Sequence, residues 1–399
     1  MNVTQIKSAL LFINVFQFSF AWAEKPISNS ADNRKNIVAS KTLRGAKSRP
    51  QLKQVLIGAL DGLSEIDTKA SDKFRKSYEA AFAYAMGRTA KELESCGYSV
   101  ALDIEQYAFS DTLAPREGGE KLAARGAWII FAPTNSKHFI LSTQGSNQSV
   151  FVSAMAGSNA VYELKPPFFT MYPSVGEFAK HAIKTARSLD YGQKFGSFIA
   201  TGCLSCADFH DSFVKMAKPE FDEAFSFEFS GDTPNLQNLK TALKKDPVDF
   251  LLVPNSSRPS GYIVSELKNE FPNLKFIGTD GWGNAEYSLM TGYDLGKNQQ
   301  GFCVRGDLGA ADMSALYRGG FPNFALKGQK VDPSYSAFVL NDFFDILTRK
   351  LCEFKPADRV DFLKYFTKAS SSTFRPRTLL GVFSLKNGLL QFEHELSRK

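Results

Sequence analysis

The residues best placed to do chemistry follow two short apolar runs in the second half of the chain. Strands are predicted at 249–253 and 274–278, with a helix between them at 261–271. In such a strand–helix–strand unit the strands are buried on both faces, and ligands bind beyond their carboxyl ends. The candidates at these ends are Ser256, Arg258, Asp280 and Trp282. A carboxylate beside a large aromatic ring suits a ligand that carries an ammonium group and some apolar bulk.

Each candidate also has a purely structural interpretation. Asp280 precedes Gly281, and Asp-Gly pairs favour turns, although its place at a strand end favours ligand contact. Trp282 could line a cleft or pack inside the fold. Arg258 could clamp a ligand carboxylate or be a solvated surface charge. The sequence leaves these alternatives open.

A long alternation of strands and helices must position these residues. Strands are predicted at 54–60, 98–104, 127–131, 150–153, 195–200 and 225–229, and helices at 72–96, 118–124, 175–189, 207–217 and 234–245. This alternation indicates parallel sheets covered by helices, an α/β architecture. The folded part, about 345 residues, is too long for one core, so two lobes are expected. The Pro-containing segment 165–169 is predicted to mark their boundary.

The first 53 residues differ in composition from the rest. Residues 1–23 have a basic start, an apolar stretch and the small-x-small sequence Ala21-Trp22-Ala23, typical of a cleaved secretory signal. The mature chain is therefore predicted to begin near Glu24, without a lipid anchor, and to be periplasmic. Residues 24–53 are predicted to be a flexible basic arm, either a solvated spacer or a segment attracted to anionic surfaces.

The net charge of +7 is carried entirely by those first 53 residues, because the remaining chain has equal numbers of basic and acidic side chains. A neutral folded part argues against nucleic-acid binding. The four histidines lack metal-ligand spacing, and there is no P-loop, nucleotide fingerprint or Gly-x-Ser-x-Gly elbow. No metal, cofactor or enzymatic activity is therefore expected.

The five cysteines permit more than one arrangement. Cys203 and Cys206 lie between a strand and a helix, a placement shared with thiol oxidoreductases, but the flanking residues do not resemble a thioredoxin active site. In an exported protein we expect a local disulfide there, at the edge of the cleft. Cys96 and Cys352 are predicted to be free thiols buried on helices. With Cys303 they leave an odd number, so at least one thiol is expected to lack an intramolecular partner.

The ordered set of elements resembles the type I periplasmic binding proteins, in particular the branched-chain amino-acid (Leu/Ile/Val-type) substrate-binding proteins of ABC transporters. The resemblance is carried by residues 57–60, the loop after 129–130, Asp249-Phe250 with its loop, residues 276–281 and residues 381–388. It implies two Rossmann-like lobes with parallel central sheets, joined by a three-crossing hinge. The implied limits are 54–166 with 302–372 for the first lobe and 173–298 with 376–399 for the second.

The resemblance also implies a function and a site. It implies a monomeric solute-binding protein that passes an amino acid or similar small polar ligand to an ABC permease; the alternative is a ligand sensor without transport. Family ligand contacts map onto Asn135, Ser136, Gly157 and Ser158 in the first lobe and onto Ser256 and Asp280 in the second. Asp280 would pair with the ligand ammonium. The first-lobe side chains have the alternative role of capping loops.

Overall fold

The structure is a computed structural model. It describes residues 52–63, 68–108, 111, 113–132, 135–153, 156–165, 167–282, 300–305, 325–326, 329–330, 335–368, 380–386 and 389–396. The chain divides into two units, 1–49 and 50–399, and every described residue belongs to the second. The predicted signal sequence lies outside the described residues, as does all of the basic arm up to residue 51.

Strands and helices alternate as the sequence predicts. The strands are β1 (Lys53–Leu63), β2 (Tyr98–Ala108), β3 (Ala127–Ala132), β4 (Val150–Ser153), β5 (Phe168–Thr170), β6 (Lys194–Ala200), β7 (Asp222–Phe229), β8 (Phe250–Leu252), β9 (Lys275–Gly278), β10 (Gly301–Arg305), β11 (Ala325–Leu326), β12 (Gln329–Lys330), β13 (Leu380–Lys386) and β14 (Leu389–Leu396). The helices are α1 (Thr68–Ser95), α2 (Ala114–Ala124), α3 (Ser136–Thr143), α4 (Asn159–Tyr162), α5 (Val175–Ser188), α6 (Leu204–Ala217), α7 (Gln237–Lys245), α8 (Ser257–Leu267), α9 (Tyr335–Phe354) and α10 (Arg359–Lys368), with a 3₁₀ turn at Asp280–Trp282.

The first lobe is built on a parallel five-stranded sheet in the order β2-β1-β3-β4-β5. Its central strands are continuous apolar runs, and Ile57 and Ile129 are neighbours in register and fully buried. Such strands suit a sheet that is covered on both faces. Helix α9 covers one face, where the rings of Phe131 and Phe343 meet edge to face at 5.0 Å.

The second lobe is built on a seven-stranded sheet in the order β14-β13-β10-β9-β8-β6-β7. The strands from β10 to β7 are parallel, and β13 pairs antiparallel with both of its neighbours. Aromatic rings fill the space between this sheet and its helices; Phe195 stacks on Phe250 at 5.3 Å and meets Phe213 edge to face. The predicted two-lobed α/β fold is confirmed.

Helices α9 and α10 pack on β3 of the first lobe, through Phe343 and Phe362, so the chain passes between the lobes three times: after β5, after β10 and after α10. One boundary differs from the prediction, which placed residues 302–305 in the first lobe. Strand β10 instead lies in the seven-stranded sheet, because its apolar residues pair with β9 on one side and β13 on the other. The remaining lobe limits stay a prediction.

The structure joins the cysteines differently from the prediction for Cys96 and Cys352, which was wrong. These two form a disulfide, with their Cα atoms 5.1 Å apart, because the carboxyl-terminal ends of α1 and α9 lie side by side. Cys203 and Cys206 form the local disulfide expected from their spacing. Cys303 is a buried thiol in β10.

None of the helices that the structure describes is both long and apolar enough to cross a membrane.

Candidate functional site

The two lobes meet where β4 ends and α6 begins. Ser158, in the loop after β4, is fully buried and donates its hydroxyl hydrogen to Oδ2 of Asp208, on α6. The backbone N–H of Asn159 donates to the same carboxylate oxygen at 2.8 Å. Two donors from the first lobe therefore converge on one acceptor from the second, and hydrogen bonds to an ionised acceptor are the stronger kind.

A second polar contact follows one helical turn further along α6. The side-chain amide of Asn159 donates from Nδ2 to Oγ of Ser212 at 3.0 Å. Residues four apart lie on the same face of a helix, so Asp208 and Ser212 both point toward the first lobe. Helix α6 thus presents a polar stripe to the loop between β4 and α4.

The predicted ammonium-binding residue Asp280 also lies at the boundary. Its Oδ2 accepts a hydrogen bond from Oη of Tyr172 at 2.7 Å. Tyr172, which is 3% exposed, belongs to the segment that carries the chain from β5 to α5. The carboxylate therefore follows its strand as predicted and projects toward the crossing segment between the lobes.

Gly157 lies between the contact of Ser158 with Asp208 and the contact of Tyr172 with Asp280. A Cβ atom at this position would lie 2.7 Å from the backbone oxygen of Pro173 and 2.9 Å from Cδ1 of Tyr172. The oxygen of Gly157 also accepts a hydrogen bond from the N–H of Val175 at 2.8 Å. Only glycine permits this close approach, so the position predicted for ligand contact is where the crossing segment packs on the first lobe.

The start of α5 is fixed next to this contact. Ser174 and Glu177 form a capping box, in which the Ser174 hydroxyl accepts from the Glu177 N–H at 3.2 Å and the Glu177 carboxylate accepts from the Ser174 N–H at 3.3 Å. Such reciprocal bonds satisfy two backbone donors that a helix start otherwise leaves unpaired. The crossing segment is therefore fixed where it enters α5.

Asn135 and Ser136 have different environments. Asn135 is exposed, and its Oδ1 caps α3 by accepting from the N–H groups of Lys137 and His138 at 2.9 and 3.2 Å. Ser136 is buried, and its Oγ accepts from the N–H of Ser158 at 3.2 Å. In this structure Asn135 has the capping role, whereas Ser136 supports the loop that contacts Asp208. Pro133 and Thr134, in the same predicted loop, lie outside the described residues.

The second-lobe candidates separate into three environments. Ser256 is exposed at the start of α8, and its side chain makes no capping hydrogen bond. The Arg258 side chain is 69% exposed, and its Nη1 lies 3.6 Å from Oδ2 of Asp232, the geometry of a loose surface pair. Trp282 is fully buried, and its indole N–H donates to the oxygen of Val253 at 2.8 Å. The structure therefore places Trp282 in the core of the second lobe.

Two residues at the boundary, Asp208 and Tyr172, were missed by the sequence analysis, whereas a third, Asn255, follows a predicted strand. Asp208 and Tyr172 make the contacts above, yet neither lies in a motif or at the end of a predicted strand of its own lobe. Asn255 is fully buried and joins β8 to β6, because its side chain accepts from the N–H of Ala200 and donates to the oxygen of Phe198. The sequence places Asn255 at the end of the strand, and the structure gives it a role in joining strands.

A titratable cluster lies on the second lobe beside the polar stripe of α6. Nε2 of His210 lies 2.8 Å from Oε1 of Glu223, which also accepts from the hydroxyl of the buried Ser197 at 2.6 Å. Burial lowers the pKa of His210, but hydrogen bonds and charge from Glu223 and Asp211 outweigh it and leave the pKa raised. Burial raises the pKa of Glu223, and the hydrogen bonds from His210 and Ser197 more than offset this, so that the pKa is lowered.

In the first lobe, the pKa of a histidine is shifted in the opposite direction. His138, on α3, has Nδ1 3.0 Å from Oη of Tyr107. Burial lowers the pKa of His138, and the positive charge of Lys137 lowers it further. The neutral imidazole is therefore favoured on this side of the boundary.

A cavity of about 550 Å³ opens at the amino ends of β6, β8 and β9, away from the contacts between the lobes. The polar groups on its wall are used within the fold. Lys275 donates to the oxygen of Asp190 at 2.8 Å, and Asp249 accepts from the N–H groups of Gln193 and Lys194. Because its polar groups are bonded within the fold, we keep the carboxyl ends of the strands, and not this cavity, as the candidate site.

Compared by sequence, the chain matches no protein-family model and none of the curated proteins. Compared by structure, it is similar to a leucine-binding protein LivK from Thermotoga maritima, with a TM-score of 0.63 and 12% identity over 86% of this chain and 99% of that one. A solute-binding protein of an ABC transporter from R. palustris, in complex with 4-hydroxybenzoate, gives a TM-score of 0.61 and 13% identity over 86% and 96%. A fatty-acid ABC transporter substrate-binding protein from Thermomonospora curvata gives 0.59 and 11% over 89% and 96%.

These similarities establish that the chain has the two-lobed α/β fold of these substrate-binding proteins, the type I periplasmic binding protein fold. The described elements supply the two sheets and the three passages that this fold requires.

Proposed function

We propose that the protein is an extracytoplasmic solute-binding protein of an ABC transporter, which binds a small polar ligand between its lobes. The observation that carries the proposal is the contact of Tyr172 with Asp280. A carboxylate at the end of a second-lobe strand there meets a hydroxyl from the crossing segment. A ligand at this place touches both lobes and the hinge at once.

Binding would act by stabilising the closed arrangement of the lobes. A ligand shifts such an equilibrium only by its difference in affinity for the two states, and contacts from both lobes supply that difference. The bonds of Ser158 and Asn159 to Asp208 favour closure from within the protein. Ligand contacts then add to an interface that already exists.

The ligand is proposed to carry an ammonium group, as an amino acid or a similar small polar molecule does. Asp280 has oxygens able to accept further hydrogen bonds beside that of Tyr172. The exposed hydroxyl of Ser256, at the neighbouring strand end, offers a further polar contact. The similar proteins carry names or titles that mention leucine, 4-hydroxybenzoate and fatty acid, so the fold accepts several ligand classes.

The remaining parts of the proposal follow from the predicted signal sequence and from the resemblance. The protein is proposed to be periplasmic and monomeric, and to deliver its ligand to a membrane permease.

The test starts with a thermal-shift screen of amino acids, amines, amides and small carboxylates, because a ligand that binds the folded state raises the melting temperature. Calorimetry then compares wild type with Asp280→Asn for each amine-bearing hit. Loss of a charge-assisted bond worth about 1.5 to 3 kcal/mol should weaken binding by roughly 10- to 150-fold. Asp222→Asn, an exposed second-lobe carboxylate, is the matched control and should leave affinity unchanged. Unchanged affinity in Asp280→Asn would restrict Asp280 to a structural role.

A further inference from the structure

We propose that Asp208 is a built-in carboxylate that occupies the carboxylate-binding donors of the first lobe, so that the ligand of this cleft is a small amine without a carboxylate of its own. The inference rests on the proposed function and narrows its ligand class. Its basis is the convergence of Ser158 and Asn159 on one oxygen of Asp208.

The donors of the first lobe form a binding place for one carboxylate. The hydroxyl of Ser158 is fully buried, and it points at the same oxygen as the N–H of Asn159. Ser136 fixes the loop by accepting from the N–H of Ser158 at 3.2 Å. Donors held in this way are preorganised for an anion, and here the anion is supplied by α6.

A ligand carboxylate could use these donors only by displacing Asp208. Among the described residues, no lysine, arginine or histidine forms an ion pair with Asp208, so the displaced side chain would lose both donors without a cation to replace them. Two carboxylates would also lie beside each other, and like charges at such distances disfavour each other's ionised form. The exchange therefore costs free energy on two counts.

The attachment of Asp208 to the protein adds to this disadvantage. A group held on a short tether behaves as a competitor at millimolar or higher effective concentration. The second bond of the stripe, from Asn159 to Ser212 at 3.0 Å, keeps α6 in place against the first lobe. A free carboxylate has to compete with an acceptor that is already positioned.

Asp280, the carboxylate proposed to bind an ammonium group, is connected to these donors through the same strip of residues. Gly157 precedes Ser158 and packs against Tyr172, whose hydroxyl bonds to Asp280. Asp208 and Asp280 thus lie at the two ends of a continuous strip of contacts. Both carry negative charge, so the strip favours a cationic ligand over an anionic or zwitterionic one.

The experiment uses pairs of compounds that differ in one carboxylate: leucine with 3-methylbutylamine, and ornithine with putrescine. Calorimetry measures each compound against wild type, Asp208→Ala and the control Asp222→Ala. Of the two amines, the one that wild type binds more tightly should bind at least about tenfold more tightly than the amino acid with which it is paired. Asp208→Ala should gain at least about tenfold for the amino acid, a change of about 1.4 kcal/mol, while Asp222→Ala should behave as wild type.

Two outcomes would overturn the inference while leaving the proposed function intact. One is wild type binding an amino acid as tightly as its amine, and the other is Asp208→Ala gaining no affinity for the amino acid. Asp208→Asn, which keeps the shape of the side chain, repeats the comparison if Asp208→Ala does not fold by circular dichroism. If folded wild type and variants bind none of the four compounds and no compound of the wider screen, the proposed function and the inference are overturned together.

Discussion

The two lobes reach a stable sheet in different ways. The first lobe depends on a segment distant in sequence, because α9 packs on the sheet that begins at β1 and a disulfide joins it to α1 across 256 residues. The second lobe is filled by aromatic rings around Phe250, and its own disulfide spans three residues. The stability that a disulfide adds depends on the length of the loop that it closes, whereas the stability that packing adds depends on the apolar surface that it buries.

The lobes also differ in the charge state that each favours. Burial favours the neutral form of His138 in the first lobe, whereas Glu223 and Asp211 favour the protonated form of His210 in the second. A fall in pH therefore affects stability with opposite sign at these two histidines. The predictions below test these contrasts, beginning with the largest effect.

The largest effect is expected from removing the long-range disulfide in the double variant Cys96→Ser/Cys352→Ser. A bond that closes a loop of this length stabilises the fold by about 5 kcal/mol in the chain-entropy description. Urea denaturation should show this loss, and hydrogen exchange should show faster opening in α1 and α9 than in the second lobe. Equal acceleration in both lobes would contradict the lobe-specific role of the bond.

A smaller effect is expected from removing the local disulfide in the double variant Cys203→Ser/Cys206→Ser. The loop closed by this bond is short, so the same description gives about 2 kcal/mol at most. The two double variants are matched controls for each other, since each replaces two half-cystines by serines. A loss equal to that of the long-range pair would show that the local bond does more than restrict its own loop.

The smallest effect is expected from the pair of His210 and Glu223, below about 1 kcal/mol because both side chains are in part exposed. The raised pKa of His210 gives stability that is full below its ordinary value of 6.5 and is lost as pH rises through the folded-state pKa. The lowered pKa of Glu223 gives stability that is full above 4.5 and is lost as pH falls through the folded-state pKa. The contribution is therefore full between these values.

Melting temperatures of wild type and His210→Gln, measured from pH 4 to 9, test this window. The difference between them should be largest near pH 5.5 and should shrink at both ends. His138→Gln serves as the control of opposite sign, since protonation of a buried neutral imidazole costs stability as pH falls below about 6.5. If the difference in melting temperature between wild type and His210→Gln is the same at every pH, the cluster contributes through packing and not through charge.

Much of the fold could be predicted from the sequence, because buried parallel strands are continuous apolar runs and the helices between them are amphipathic. The placement of β10 could not, since which sheet a strand joins depends on partners far along the chain. The pairing of Cys96 with Cys352 was missed for the same reason, because nothing local shows that two helix ends are neighbours.

The candidate site was predictable only where it follows a strand. Asp280 was found by its position after β9, and Gly157 and Ser158 by resemblance. Asp208 lies within a helix, 50 residues from Ser158, and Tyr172 lies 108 residues from Asp280. Contacts between lobes leave no periodic pattern in sequence, so the residues that occupy the donors became visible only in the structure.

The two disulfides also have a consequence for which thiols can pair wrongly while the chain folds. Until Cys96 meets Cys352, Cys203 and Cys206 are possible wrong partners for Cys96. Cys203 and Cys206 are three residues apart in sequence, so they meet without any distant segment of the chain being in place. Once Cys203 and Cys206 are joined to each other, neither thiol is available to Cys96, and the packing of α9 brings Cys352 to its side.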